Sequence, residues 1–201
     1  MEYDAEKREI KLDKELNNLD TFVIEFCSLL KDYVIVSGYV SILLGRSRAT
    51  EDVDLLVPEM TKEAFEIFWK KAFDSGFECV NVLDSEEAFE MLQEHAIRFC
   101  KEGVAVPNME FKMIKNDLDI YSFDNKIKVQ LNGDSLFISP LEMQIAFKLF
   151  LAADGNEEEI NSDKDIEDAR HLYKLFLDKI NKGELLKMLE KLNINERLKW
   201  L

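Results

Sequence analysis

Up to about residue 138, short apolar runs of strand length alternate with helical patterns; beyond it every apolar period is helical. That ordering restricts the chain to a mixed sheet with helices packed on it. Tyr33-Val34-Ile35-Val36 reads as a buried strand broken by Ser37-Gly38, and Tyr39 to Leu44 as a helix. Val53 to Val57 is the next strand, ended by Pro58. Thr61 opens an amphipathic helix to about Asp74. Phe77 to Val82 is strand-like and Ser85 to Glu94 helical, with further strands expected at Ala96 to Cys100, Met109 to Ile114, Lys126 to Leu131 and Leu136 to Ile138. Helices follow over residues 140–152, 163–178 and 182–193. Near the start, Leu12, Leu16, Leu19, Val23, Phe26 and Leu30 recur at three and four residues, the period of one helix or two collinear ones. The expected architecture is α+β: a mixed-sheet core with an N-terminal helix over residues 1–135, then a helical C-terminal subdomain over 136–201.

With 7 glycines and 3 prolines, no flexible linker separates these parts. No apolar run approaches the roughly 20 residues needed to cross a bilayer, and the first seven residues are too charged for a signal peptide. Cys27, Cys79 and Cys100 lie in apolar settings without metal-ligand spacing, as expected of reduced core thiols in a cytoplasmic protein. Two histidines argue against a zinc site. The net charge of −15 bears on partners. A surface that tracks phosphates needs clustered Lys and Arg, and this chain lacks such clusters, so extended nucleic acid is not the expected partner. The end of a tRNA stays admissible as an acceptor. Free nucleotide demands less, because one Mg²⁺ and two arginines neutralise a triphosphate.

Asp-x-Asp by itself carries little weight. Seventeen aspartates in 201 residues produce about 1.4 such pairs by chance, and three occur: Asp52/Asp54, Asp117/Asp119 and Asp163/Asp165. Context selects the first. Asp54 leads directly into Leu55-Leu56-Val57, and strand periodicity puts both carboxylates on one face, roughly 6–7 Å apart along the chain. Two anions so placed raise each other's pKa unless a cation neutralises them. A hard divalent ion with oxygen ligands does that, and could orient in-line attack on phosphorus. Upstream, Val36-Ser37-Gly38 joins a strand to a helix start, where free N–H groups favour phosphate and glycine permits close approach. The 13 residues between Gly38 and Asp52 contain Arg46, Arg48 and Thr50, and arginine grips phosphate through several donors.

Lys148 shares a helix face with Leu141, Ile145 and Ala152, so it needs a counter-charge or an opening onto a cleft. Asp165, followed at +4 and +7 by Ala169 and Leu172, has the same need. The two could pair with each other or line a nucleotide site.

At this point the sequence resembles the polymerase-beta nucleotidyltransferase superfamily: an apolar residue, a Gly/Ser-Gly turn, a spacer, then Asp-x-Asp. Here that is Val36-Ser37-Gly38 and Asp52-Val53-Asp54-Leu55, with Ser37 where a first glycine is usual. The stretch Ser37 to Asp54, together with Ile138-Ser139-Pro140 to Leu149 and Lys164-Asp165-Ile166-Glu167-Asp168-Ala169, is more specifically similar to AbiEii-type abortive-infection nucleotidyltransferases and their archaeal and bacterial relatives. The resemblance implies transfer of a nucleoside monophosphate from an NTP to an acceptor hydroxyl, with Mg²⁺ or Mn²⁺ held by Asp52, Asp54 and a third carboxylate on a later strand. Glu110, between Met109 and Phe111, is preferred for that role over Asp119. It also implies phosphate contacts from Ser37 and Gly38, charge compensation from Arg48 and Lys148, and nucleotide-lining positions for Arg46, Thr50 and Asp165. The acceptor would be an RNA end, a protein side chain or a small molecule. A toxin with a cognate antitoxin is one form of this expectation; a non-catalytic nucleotide- or protein-binding module is the alternative.

Overall fold

The computed structural model describes residues 1–201, whose strands form one nine-stranded mixed sheet. In chain order the elements are β1 (Glu2–Asp4), β2 (Glu9–Leu12), α1 (Asn18–Cys27), β3 (Val34–Val36), α2 (Gly38–Leu43), β4 (Asp52–Val57), α3 (Lys62–Asp74), β5 (Phe77–Cys79) and α4 (Ser85–Leu92). There follow β6 (Ile97–Lys101), β7 (Val104–Met113), α5 (Asp117–Asp124), β8 (Ile127–Leu131) and β9 (Asp134–Ile138). Four helices then come in succession: α6 (Leu141–Leu151), α7 (Glu157–Ser162), α8 (Lys164–Leu175) and α9 (Lys182–Lys191), before a closing 3-10 turn at Asn195–Trp200. Across the sheet the order is β1-β2-β8-β9-β3-β4-β7-β6-β5. The pairs β2/β8, β3/β9 and β4/β7 are parallel and the others antiparallel. No helix is long and apolar enough to cross a membrane.

Alternation along the central strands divides the sheet into two unlike faces. Val53 and Leu55 of β4 and Met109 and Phe111 of β7 are fully buried, while Asp52, Asp54, Glu110 and Lys112 between them are not. The apolar face is built on aromatic rings. Phe26 of α1 meets Phe77, Phe99, Phe111 and Phe68 at ring-centroid distances from 5.1 to 6.4 Å, and Phe68 of α3 stacks on Phe111 at 4.9 Å. Offset and edge-to-face pairs of this kind add to the area term of burial.

The N-terminal segment differs from the expected helix. Asn17 and Asp20 form a capping box, so α1 begins at Asn18 and excludes Leu12 and Leu16. Residues 2–12 instead make a hairpin whose second strand runs parallel to β8, Ile10 lying opposite Val129. A partner almost 120 positions away overrides the local period. Asn116 caps α5, so Asp119 sits on a helix and not on a strand. The boundary expected after residue 135 falls inside β9, and one apolar core runs from Ile10 to Ile194. Cys27, Cys79 and Cys100 are buried free thiols, as expected.

Phe26→Ala should lower unfolding free energy by about 3–5 kcal/mol, against less than about 0.5 kcal/mol for Leu83→Ala at a surface position; urea denaturation of both variants measures the contrast.

Candidate active site

The parallel β4–β7 ladder sets Asp54 opposite Glu110 and Asp52 opposite Asn108. Neighbouring strands are about 4.8 Å apart, so the Asp54 and Glu110 carboxylates emerge side by side from one face. Lys112, two residues beyond Glu110 and therefore on the same face, answers their repulsion: its Nζ lies 2.6 Å from Glu110 Oε1 and 3.0 Å from Asp54 Oδ1. Arg98, opposite Glu110 in the antiparallel β6–β7 ladder, approaches Glu110 Oε2 at 2.8 Å. Burial opposes charge on Glu110, but Lys112 and Arg98 outweigh it and hold the carboxyl below its usual range. Burial likewise opposes charge on Lys112, and Asp54 and Glu110 outweigh it, raising the ammonium pKa.

The three expected carboxylates are thus brought together in part. Asp54 and Glu110 share one cation, whereas Asp52 stands one pleat further along β4 with the Thr50 hydroxyl 3.2 Å from its Oδ1. They do not close into a metal cage. The donor chemistry nonetheless fits a hard cation, and the Lys112 ammonium between Asp54 and Glu110 is a stand-in for one. Beside Asp52, Asn108 Oδ1 is buried without a partner, one more oxygen of the kind such an ion takes.

Asp54, Glu110 and Lys112 border a cavity of about 640 Å³ between the polar face of the sheet and helices α5 and α6. Ser37 lies on the same cavity, because Val36 pairs with Asp54 in the β3–β4 ladder. Leu118 of α5 and Met143, Phe147 and Leu151 of α6 supply an apolar wall; His95, Lys115, Asn116 and Asp119 supply polar groups. Asp119 itself is engaged by the Asn116 amide at 2.9 Å.

Ser37 adopts φ +63° and ψ −137°, a backbone more natural to glycine. Gln144 of α6 holds it there: the Ser37 N–H donates to Gln144 Oε1 at 3.1 Å, and Gln144 Nε2 donates to the Ser37 carbonyl at 2.5 Å. Ser139 Oγ donates to the same Oε1 at 2.8 Å. Gly38 matters for a different reason. A Cβ there would collide with the Arg48 guanidinium, whose Cζ would be 3.2 Å away.

Arg46, Arg48, Lys148 and Asp165, four further residues expected at the nucleotide, form a second centre outside the cavity lining, while Thr50 stays beside Asp52. Its focus is Asp168 of α8, with no exposed surface. Arg48 grips Asp168 bidentately, Nε at 3.1 Å and Nη2 at 3.0 Å; Arg46 Nε is at 2.9 Å and its other arm reaches Glu167. Lys148 Nζ lies 2.6 Å from Asp165 and 3.1 Å from Asp168. The two arginines, expected to face phosphate, are therefore committed to α8, because a carboxylate on that helix's buried stripe must be paired. Of the two alternatives for Lys148 and Asp165, the pairing is what the structure contains. His171 Nε2 sits 3.0 Å from the Leu44 carbonyl, a satisfied structural histidine.

Sequence reasoning left Lys112, Arg98, Gln144 and Asp168 without roles. For Lys112 the signal existed, two residues past Glu110 on a strand. Asp168 carried one too, three residues past Asp165 among Ile166, Ala169 and Leu172. Arg98 and Gln144 act through long-range pairings that leave no local mark.

Asp168→Ala should cost about 3–5 kcal/mol, since it strands three cations around a buried position; chemical denaturation reads it. Ser37→Gly should stabilise by about 1 kcal/mol, the relief of strain exceeding the entropy added to the unfolded chain; a higher denaturation midpoint is the expected result.

No family model matches the chain, and no curated protein matches it in sequence. Among solved structures, it is similar to the crystal structure of an antigenic nucleotidyltransferase-like protein from Paracoccidioides brasiliensis, with a TM-score of 0.52 over 92% of this chain and 94% of that one. Sequence identity is 19%, so the likeness is one of chain path alone. By that path, the chain has a nucleotidyltransferase-like fold.

Proposed function

We propose that this chain is a metal-dependent nucleotidyltransferase that moves a nucleoside monophosphate from an NTP to an acceptor hydroxyl. Fold alone does not assign chemistry. The observation that carries the reading is the pairing of Asp54 with Glu110 on the floor of a cavity that also takes in the Ser37 turn.

Asp54 and Glu110, with Asp52 a pleat away, would hold Mg²⁺ or Mn²⁺. When bound, the ion supplies charge neutralisation for the triphosphate and acidifies the acceptor hydroxyl. The chain's own residues do the rest. The acceptor oxygen attacks the α-phosphorus, a P–O bond forms, and the bond to the departing pyrophosphate breaks. Glu110, kept ionised by Arg98 on its far oxygen, would take the hydroxyl proton. Gln144 keeps the Ser37 turn at the cavity edge, and the apolar wall of Met143, Phe147 and Leu151 offers a base or acceptor a dry surface. Arg46, Arg48 and Lys148 act at one remove, by fastening α8 beside Gly38. The net charge of −15 favours a protein side chain or small molecule over a polynucleotide as acceptor. A protein acceptor is the form that a toxin with a cognate antitoxin would take.

A second reading, a nucleotide-binding module without transfer, is favoured by one observation: Lys112 already neutralises the carboxylates that a metal would use.

The deciding experiment incubates the protein with each α-labelled NTP, Mg²⁺ and a cell lysate, and asks whether label ends in RNA, protein or a small molecule. Wild type should transfer label, Asp54→Asn should fall to background, and Glu110→Gln should lose about 10²–10⁴-fold. If Asp54→Asn binds Mg-ATP as tightly as the parent by calorimetry, the assignment is wrong; nucleotide binding without any label transfer would select the module.

A further inference from the structure

Lys112 has no part in the transfer scheme, yet it occupies the place between the two carboxylates that matter most. Its ammonium is within 3.0 Å of one oxygen from each of Asp54 and Glu110. Those are oxygens a divalent ion would need. With Arg98 on the far oxygen of Glu110, the four side-chain charges cancel. An approaching cation therefore has to displace an ammonium before it can coordinate those oxygens.

Two features make that displacement feasible and local. Lys112 is anchored by its strand: it pairs with Leu56 in the β4–β7 ladder and must remain on the polar face. Its head group is not trapped, since the side chain is 38% exposed and stands on the cavity's edge. A four-carbon stem with a compact charge can swing away from the carboxylates without moving the backbone. An anionic ligand in the cavity is what would draw it, and a triphosphate provides several acceptor oxygens.

We propose that Lys112 is a built-in competitor for the divalent cation at Asp54 and Glu110, a positioning residue that holds the site closed to free metal until nucleotide phosphates take its charge. The proposal rests on the nucleotidyltransferase reading above. It makes metal and nucleotide binding cooperative, because each removes an obstacle to the other.

The test is Mn²⁺ binding, followed by electron paramagnetic resonance in the absence of nucleotide, for the parent, Lys112→Met, Lys112→Arg, and each of these with Asp54→Asn; circular dichroism checks that all are folded. Lys112→Met should bind Mn²⁺ about tenfold or more tightly than the parent, because an opposing unit charge within a few ångströms has been removed. Lys112→Arg, which keeps that charge, should stay as weak as the parent, an outcome that a mere packing role for the stem does not produce. Asp54→Asn should abolish binding in every background. Equal, Asp54-dependent affinity in the parent and Lys112→Met overturns the competitor proposal and leaves the enzyme reading standing. An absence of Asp54-dependent Mn²⁺ binding even in Lys112→Met overturns both.

Discussion

The parallel pairing of β4 with β7 concentrates negative charge at one point of the sheet, and the rest of the site answers that concentration. Two carboxylates emerging side by side in a partly buried setting repel each other unless cations lie between them. Lys112 and Arg98 come from the same strand and its neighbour, so compensation is provided by the ladder that creates the problem. The same alternation sends Val53, Leu55, Met109 and Phe111 into the aromatic layer on the other side. Catalytic candidates and core residues thus share a backbone, and the stiffness of the ring packing is passed to the carboxylates.

A second ionic centre lies on the far side of the Ser37-Gly38 turn and obeys a different logic. Asp168 is buried completely, and its three cations come from two separate places, the segment after α2 and helix α6. Such an assembly is poor evidence of net stability, since the desolvation of charges offsets much of their attraction. What it does provide is position. Arg48 can lie across the backbone at residue 38 only because that residue has no side chain, and in lying there it ties the segment between α2 and β4 to α8.

Much of this was legible in the sequence wherever the signal is local. The runs from β3 through α4 show their period directly, as do β6 and the helices α6, α8 and α9. Glu110 was identifiable as a strand residue between two apolar neighbours, and the turn at Ser37-Gly38 as a junction of strand and helix. The N-terminal hairpin was not legible, because Leu12 and Leu16 happen to continue a helical spacing whose capping box begins only at Asn17. Nor could local pattern reveal that Arg46 and Arg48 turn toward α8. An arginine's destination depends on which carboxylate is buried within reach, and the partner here is 120 or more positions distant. Lys112 was visible in principle, since strand alternation puts it on the same face as Glu110 two residues earlier.

The tie between Gln144 and Ser37 has a consequence for how the molecule assembles. It spans 107 positions, and the grip of Arg48 on Asp168 spans 120. While the chain is being synthesised, β3, β4 and β7 can form their ladder well before α6 and α8 exist. Until those helices arrive, the strained residue at the cavity rim has nothing to hold it. The geometry of the Ser37 turn is therefore settled by the C-terminal part of the chain, and is complete only when α6 has packed against the sheet.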